Sequence, residues 1–220
     1  MLENIVEVAE RYWSLFLSGL GYTLLLALIT VVCGVVLGSL IALMRMSHFK
    51  ILHFVATAFI EIIRGTPLLL QLYVFYFLIP RILPFEINEF ASVAMALVIN
   101  STAYVAEIIR AGILAVDRGQ TEAARSLGMD GRQAMMRIVM PQAIKNILPA
   151  LCNEFVAVVK ETSLASTFFV GDLMTAFRRI NASIFLTLEP LIVVGIIYFV
   201  VTFTMSKAIG VLERRLKYSD

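Results

Sequence analysis

The sequence predicts an all-α integral membrane protein with about five transmembrane helices and a polar cytosolic loop between the third and fourth. Three observations carry this. The 220 residues are 60% hydrophobic with a mean hydropathy of +0.90, which leaves too little polar surface to coat a soluble domain. The apolar residues come in continuous charge-poor runs, as lipid-spanning helices require, and not in the alternation of barrel strands. Lys and Arg gather in alternate loops, as membrane insertion demands. No repeat, low-complexity tract or hydrophilic second domain interrupts the chain, so 1–220 reads as one membrane domain.

With about 30 Å of hydrocarbon to cross at about 1.5 Å per helical residue, the spans fall at about 12–44, 51–79, 90–113, 144–168 and 190–209. The first exceeds one crossing and so includes a lead-in or a marked tilt. The second is interrupted by Glu61, Arg64 and Gly65-Thr66-Pro67. Gly and Pro together break a helix where neighbours can satisfy the freed backbone groups. Placing the loop at about 117–141 inside puts twelve basic residues on that side, from Arg45 and Lys50 to Lys217. Only Arg11, Arg81, Arg178 and Arg179 lie opposite, while Arg64 and Lys160 fall within spans. The N-terminus is therefore expected outside and the C-terminus in the cytosol. Acidic Glu3, Glu7 and Glu10 ahead of a long first run argue against a cleavable leader.

Residues 122–141 are the main polar interruption. Asp117 with Gln120, and Asp130 with Gln133, each have the spacing of a capping box. Gly128 falls where a helix ends in the left-handed conformation open to glycine, and Pro141 suits the first turn of the next helix. Two short helices joined by a tight turn are expected. Ala123 and Ala124 would leave a bare face for another protein, and Glu122 is favoured in the first turn by the helix dipole. An ordinary solvated loop helix is the plainer alternative. The register of Glu122-Ala123-Ala124, Gly128, Ile138 and Pro141 weighs against it.

Several chemistries are missing. There is no G-x-x-x-x-G-K-[ST] loop to cradle ATP phosphates. His48 and His53 have the wrong spacing for one helical face, and no Ser/His/Asp grouping suggests hydrolysis. Cys33 and Cys152 lie in apolar stretches and read as packing residues. The net charge of +2 carries no nucleic-acid signal, because the basic residues have a topological explanation.

The loop's register matches the EAA signature of permease subunits of ATP-binding-cassette importers, with Met140 where the family has leucine. Arg64 to Gln71, Asn100 to Ile113, Asn146 to Leu151 and Asn153-Glu154-Phe155 resemble the polar amino-acid branch, the histidine/glutamine/arginine/opine type. The similarity covers roughly residues 15 to 215. It implies a permease, not an enzyme, in a bacterial inner membrane, pairing with a second copy or a close paralogue. Two cytosolic ATPase subunits holding ATP and Mg, and an extracytoplasmic amino-acid-binding protein, would complete the assembly. Glu122, Ala123, Ala124, Gly128, Ile138 and Pro141 would then form the surface on which the ATPase acts.

Polar residues at membrane depth are costly and usually face a cavity or a partner. Asn100, Tyr104 and Glu107 form one stripe in the third span, bordered by Ser101. In the fourth, Glu154 and Glu161 share a face beside Asn153 and Lys160. An amino acid needs an acceptor for its ammonium, which Glu154 can supply, and donors for its carboxylate, which Asn100 and Ser101 can supply. Glu61 with Arg64, and Glu107 with Arg110, have the spacing to pair structurally. Lys160 and Glu161 read equally as a gate or an interfacial anchor. A secondary transporter relaying ions through Glu154 and Lys160 is the competing function. The loop signature and the lack of an inverted repeat count against it.

Overall fold

The computed structural model describes residues 2–84 and 86–217, with the side chains of 216 and 217 outside the description. Every regular element among these residues is a helix. A short amphipathic helix, α1 (Leu2–Arg11), leads into α2 (Trp13–Arg45), a continuous helix of 33 residues. At about 1.5 Å per residue α2 is about 50 Å long, so the excess over one crossing is helix and not a separate lead-in. Its buried face is a seam of small residues: Gly19, Thr23, Ala27, Thr30, Gly34, Gly38 and Ala42. The opposite face exposes Leu25, Leu28, Val32, Val36, Leu40 and Leu43, as lipid contact requires.

Helices in lipid gain little from apolar contact alone, so close approach over small residues does the packing. The α2 seam receives α6 (Glu89–Leu114). A Cβ added at Gly38 would sit 2.8 Å from Val105 Cβ, and one at Gly34 would sit 2.9 Å from Ser101 Oγ. The spanning stretch of α6 is 61% buried, against 28% for α2 and 17% for α11 (Leu188–Lys217), which makes α6 the central helix. Asn88 caps it, accepting from the Ala91 amide at 2.8 Å.

The expected second span is two helices, α3 (Lys50–Arg64) and α4 (Leu68–Phe77), the latter extended by the turn α5 (Ile79–Ile82). They meet at 103° across Gly65-Thr66-Pro67. The fourth begins as α9 (Met140–Glu161) and then tightens into a 3-10 segment, Thr162–Phe168. By length and apolarity three described helices qualify as spans, or four if the bent pair is one. The helix that falls short is α9, which carries Lys145, Pro149, Glu154, Lys160 and Glu161.

The loop holds α7 (Arg118–Ser126) and α8 (Gly131–Ala134). Here the expectation of two separate short helices is corrected. The chain runs from α8 through a π segment, Met135–Val139, straight into α9. Met140 donates to the Met135 carbonyl across this wider turn, and Pro141, with no N–H to give, follows at the start of α9. Between α9 and α11, α10 (Leu173–Ile184) packs on α2. Its N-cap Asp172 is fully buried and accepts from Met174 N and Thr175 Oγ1, while Leu173 N donates to Thr23 Oγ1 at 3.0 Å. Burial holds the Asp172 carboxyl above the ordinary aspartate value despite those donors.

Candidate functional site

Glu154 lies half-buried on α9, and Ser101 of α6 donates its hydroxyl to Glu154 Oε1 at 3.1 Å. No basic side chain pairs with this carboxylate among the described residues. Asn153 and Lys160 are exposed, and Glu161 is half-buried.

The polar stripe of α6 is spent largely on other parts of the chain. Asn100, only 5% exposed, donates its amide to Gln71 Oε1 at 3.0 Å. Gln71 in turn donates to the carbonyls of Ile63 (2.8 Å) and Thr66 (3.2 Å) and to Thr66 Oγ1 (2.9 Å). The reason lies in Pro67: in an unbroken helix its N–H would serve Ile63, four residues back, and proline has none. Gln71 replaces that donor. Thr66 Oγ1 likewise serves the Ile62 carbonyl at 2.9 Å. Asn100 thus braces the elbow between α3 and α4, where the sequence suggested a free donor for substrate.

One turn further along α6, the Arg64 guanidinium sits 5.3 Å from the Tyr104 ring centroid, a cation–π contact. This corrects the expected Glu61–Arg64 pair, since both are exposed and no ion pair joins them. Helical spacing permitted the pair, but the ring of Tyr104 offers Arg64 a competing partner across the helix contact. Glu107 is bound both by Arg110, three residues on, and by Arg45 at the end of α2. His53 Nδ1 donates to the Arg45 carbonyl at 2.5 Å, serving one of the last carbonyls of α2. Among the described residues no three His, Cys, Asp or Glu side chains group to hold a metal.

In the loop, Gly128 has φ +85°. Met129 N donates to the Ala124 carbonyl and Gly128 N to that of Arg125, the two bonds of a Schellman turn. Asp130 forms a full capping box with Gln133. Asp117 does not: it accepts from Gly119 N at 2.6 Å, and Gln120 reaches across to Gln142 instead. Ala124 also departs from expectation, being 4% exposed while α7 packs on the π segment. The open face of α7 is Glu122 and Ala123, with Ile138 half-buried and Pro141 exposed nearby.

Sequence reasoning passed over three groups. Gln71 was signalled by Pro67, which leaves a carbonyl needing a donor about one turn away. Leu127 and Met136 are 82% and 61% exposed on the loop, and their signal is apolar character in an otherwise polar segment. Arg45 had none beyond its sign of charge, because its partner lies 62 residues away.

Residues 34–218 match the family model described as "Binding-protein-dependent transport system inner membrane component". The chain is 40% identical over 204 residues to the arginine transport system permease protein ArtQ of Bacillus subtilis, covering 93% of each. It is 39% identical to the probable glutamine ABC transporter permease protein GlnM of the same organism, over 97% of this chain and 99% of the other. A solved amino acid ABC transporter with histidines superposes with a TM-score of 0.90 at 49% identity, over 93% of this chain and 95% of that one. The MetNI methionine ABC transporter in an inward-facing conformation has a TM-score of 0.76 at 16% identity, over 94% and 98%, a likeness of fold alone.

Proposed function

Because the chain belongs to the binding-protein-dependent transport system inner membrane component family, we propose that it is the permease subunit of an ATP-driven amino-acid importer. It is a multi-pass membrane protein and not an enzyme, since ATP hydrolysis in this family belongs to a separate subunit. The family works with a second permease subunit, ATPase subunits and a binding protein. Our finer reading is a homodimer or close paralogue pair on two cytosolic ATPases that bind ATP and Mg, served by an extracytoplasmic amino-acid-binding protein. The secondary-transporter alternative has no support in this family.

We assign the substrate's ammonium, or a cationic side chain, to Glu154. The observation behind this is a carboxylate in a membrane helix supported by one neutral hydroxyl and, among the described residues, no basic partner. Such a group costs about 2.5–3.5 kcal/mol even on the lenient insertion scale, and a bound cation offsets that. Ser101 orients the carboxylate, while exposed Tyr104 and Asn153 and half-buried Glu161 line the approach. Asn100 acts through the elbow. Arg64, Pro67, Glu107 and Arg110 set the geometry of the path, with Glu61 and Lys160 open to the second subunit or to water.

The test is Glu154→Gln in the reconstituted complex. Uptake of L-arginine should fall roughly tenfold or more, the size of a lost charge-assisted hydrogen bond worth about 1.5–3 kcal/mol. L-glutamine uptake should fall less, and basal ATP hydrolysis should persist. Unchanged uptake of both would remove Glu154 from the path.

A further inference from the structure

Ser101 turns its hydroxyl in an unusual direction for a serine inside a helix. Ser39, Ser92, Thr102, Thr202 and Thr204 each return theirs to the carbonyl four residues back, at 2.7–3.1 Å, the local bond such a hydroxyl readily makes. Ser101, only 1% exposed, donates across to Glu154 Oε1 on α9. The carbonyl four residues behind it, that of Leu97, is one χ1 rotation away. Some neighbouring group has to keep the hydroxyl aimed at α9.

Gly34 of α2 lies directly behind that oxygen. A Cβ on it would sit 2.9 Å from Ser101 Oγ and 3.2 Å from Ser101 Cβ, well inside the separation at which nonbonded atoms attract. Gly34 is buried within a regular helix, and among the described glycines only Gly128 and Gly171 have positive φ. Backbone freedom therefore does not call for glycine here, where it weakens the helix. Close approach of α2 to α6 explains Gly38, whose added Cβ would meet the apolar Val105 side chain. At Gly34 the atom met first is the oxygen that supports Glu154.

We infer that Gly34 is a positioning residue for the cation site at Glu154: the space it leaves seats the Ser101 hydroxyl, and the hydroxyl aims the carboxylate. The inference rests on the proposed role of Glu154 and brings a third helix, α2, into that site. A side chain at position 34 displaces Oγ, the hydroxyl turns back to the Leu97 carbonyl, and Glu154 loses the donor that orients it. A carboxylate released from that bond samples more rotamers, and a bound cation then has to order it, which weakens binding.

The test measures binding of radiolabelled L-arginine to the purified full complex in wild type, Glu154→Gln, Gly34→Ala, Ser101→Gly and the Gly34→Ala/Ser101→Gly double variant. Kd reports the site and the number of sites reports the folded fraction, so a merely structural defect removes sites at an unchanged Kd. Gly34→Ala and Ser101→Gly should each raise Kd roughly three- to tenfold, within the range of one hydrogen bond. The double variant should raise it no further than Ser101→Gly, because both changes act through one oxygen. An unchanged Kd in Gly34→Ala overturns the inference, as do effects that multiply in the double variant. If Gly34→Ala alone does not assemble, the double variant, which lacks both crowded Ser101 atoms, should assemble with the Kd of Ser101→Gly; its failure to do so also overturns the inference. Glu154→Gln separates the two readings. Weakened binding there beside an unchanged Kd in Gly34→Ala overturns only the role of Gly34. A wild-type Kd in Glu154→Gln, or no L-arginine binding by the wild type, overturns the cation site itself.

Discussion

Gln71 shows how one buried side chain makes a broken membrane helix affordable. The Gly65-Thr66-Pro67 break strands carbonyls at a depth where water cannot serve them, and Gln71 satisfies two of them while accepting from Asn100. Gln71→Leu keeps the approximate volume and removes every one of those bonds. It should destabilise the subunit by about 1–3 kcal/mol, the usual cost of leaving buried polar groups unpaired. A melting temperature in detergent equal to wild type would show that the elbow does not depend on it. The Ile63 deficit could be read from the proline alone. That Asn100 is the group holding Gln71 could not, because nothing in the spacing brings residues 29 apart into contact.

Among elements, the α2–α6 seam and the loop between α6 and α9 make opposite demands on glycine. Gly38 is needed for space, since a Cβ there would meet Val105 at 2.8 Å. Gly38→Val should cost about 1–3 kcal/mol by overpacking. Gly21 on the same helix has nothing within 4 Å of an added Cβ, so Gly21→Ala should be neutral or stabilise by up to about 1 kcal/mol. Equal effects of the two on thermal stability would contradict the seam. Gly128 is needed for its backbone instead: its φ is +85° and a Cβ would meet nothing. Gly128→Val should cost about 1–2 kcal/mol locally and uncouple the ATPase while insertion stays normal. Substrate-stimulated ATP hydrolysis at the wild-type level would refute the coupling role. The turn itself was legible in the sequence, because αL glycine after a helix is a local rule. The fusion of α8 to α9 through a π segment was not, because Pro141 was read as opening a new helix when its missing N–H can equally be absorbed by a wider turn.

For the whole molecule, the two ends of α2 carry different company. Its C-terminal end meets Glu107 and, through it, Arg110, while its N-terminal end meets α10, which carries Arg178 and Arg179. With the loop cytosolic, Ser14→Cys should react with an impermeant maleimide added outside intact cells and Ser126→Cys should not. Both positions are exposed, so access and not burial decides the result. Labelling of Ser126→Cys from outside would invert the topology and remove the ATPase from the loop.

The sequence by itself determined the membrane class, the helical character, the break at Pro67, the turn at Gly128 and the local pair Glu107–Arg110. Each depends on composition or on contacts within about one helical turn, which a linear reading can count. Only the tertiary structure decided that Asn100 holds Gln71, that Ser101 supports Glu154 across 53 residues, and that Arg64 leaves Glu61 for Tyr104. It also decided that Arg45 reaches Glu107 and that Arg178 lies over the Phe169 ring. Those choices depend on how each helix is rotated and shifted against its neighbours. That register is set by the small-residue seam of α2 and by the 103° elbow acting together, and no single segment contains it.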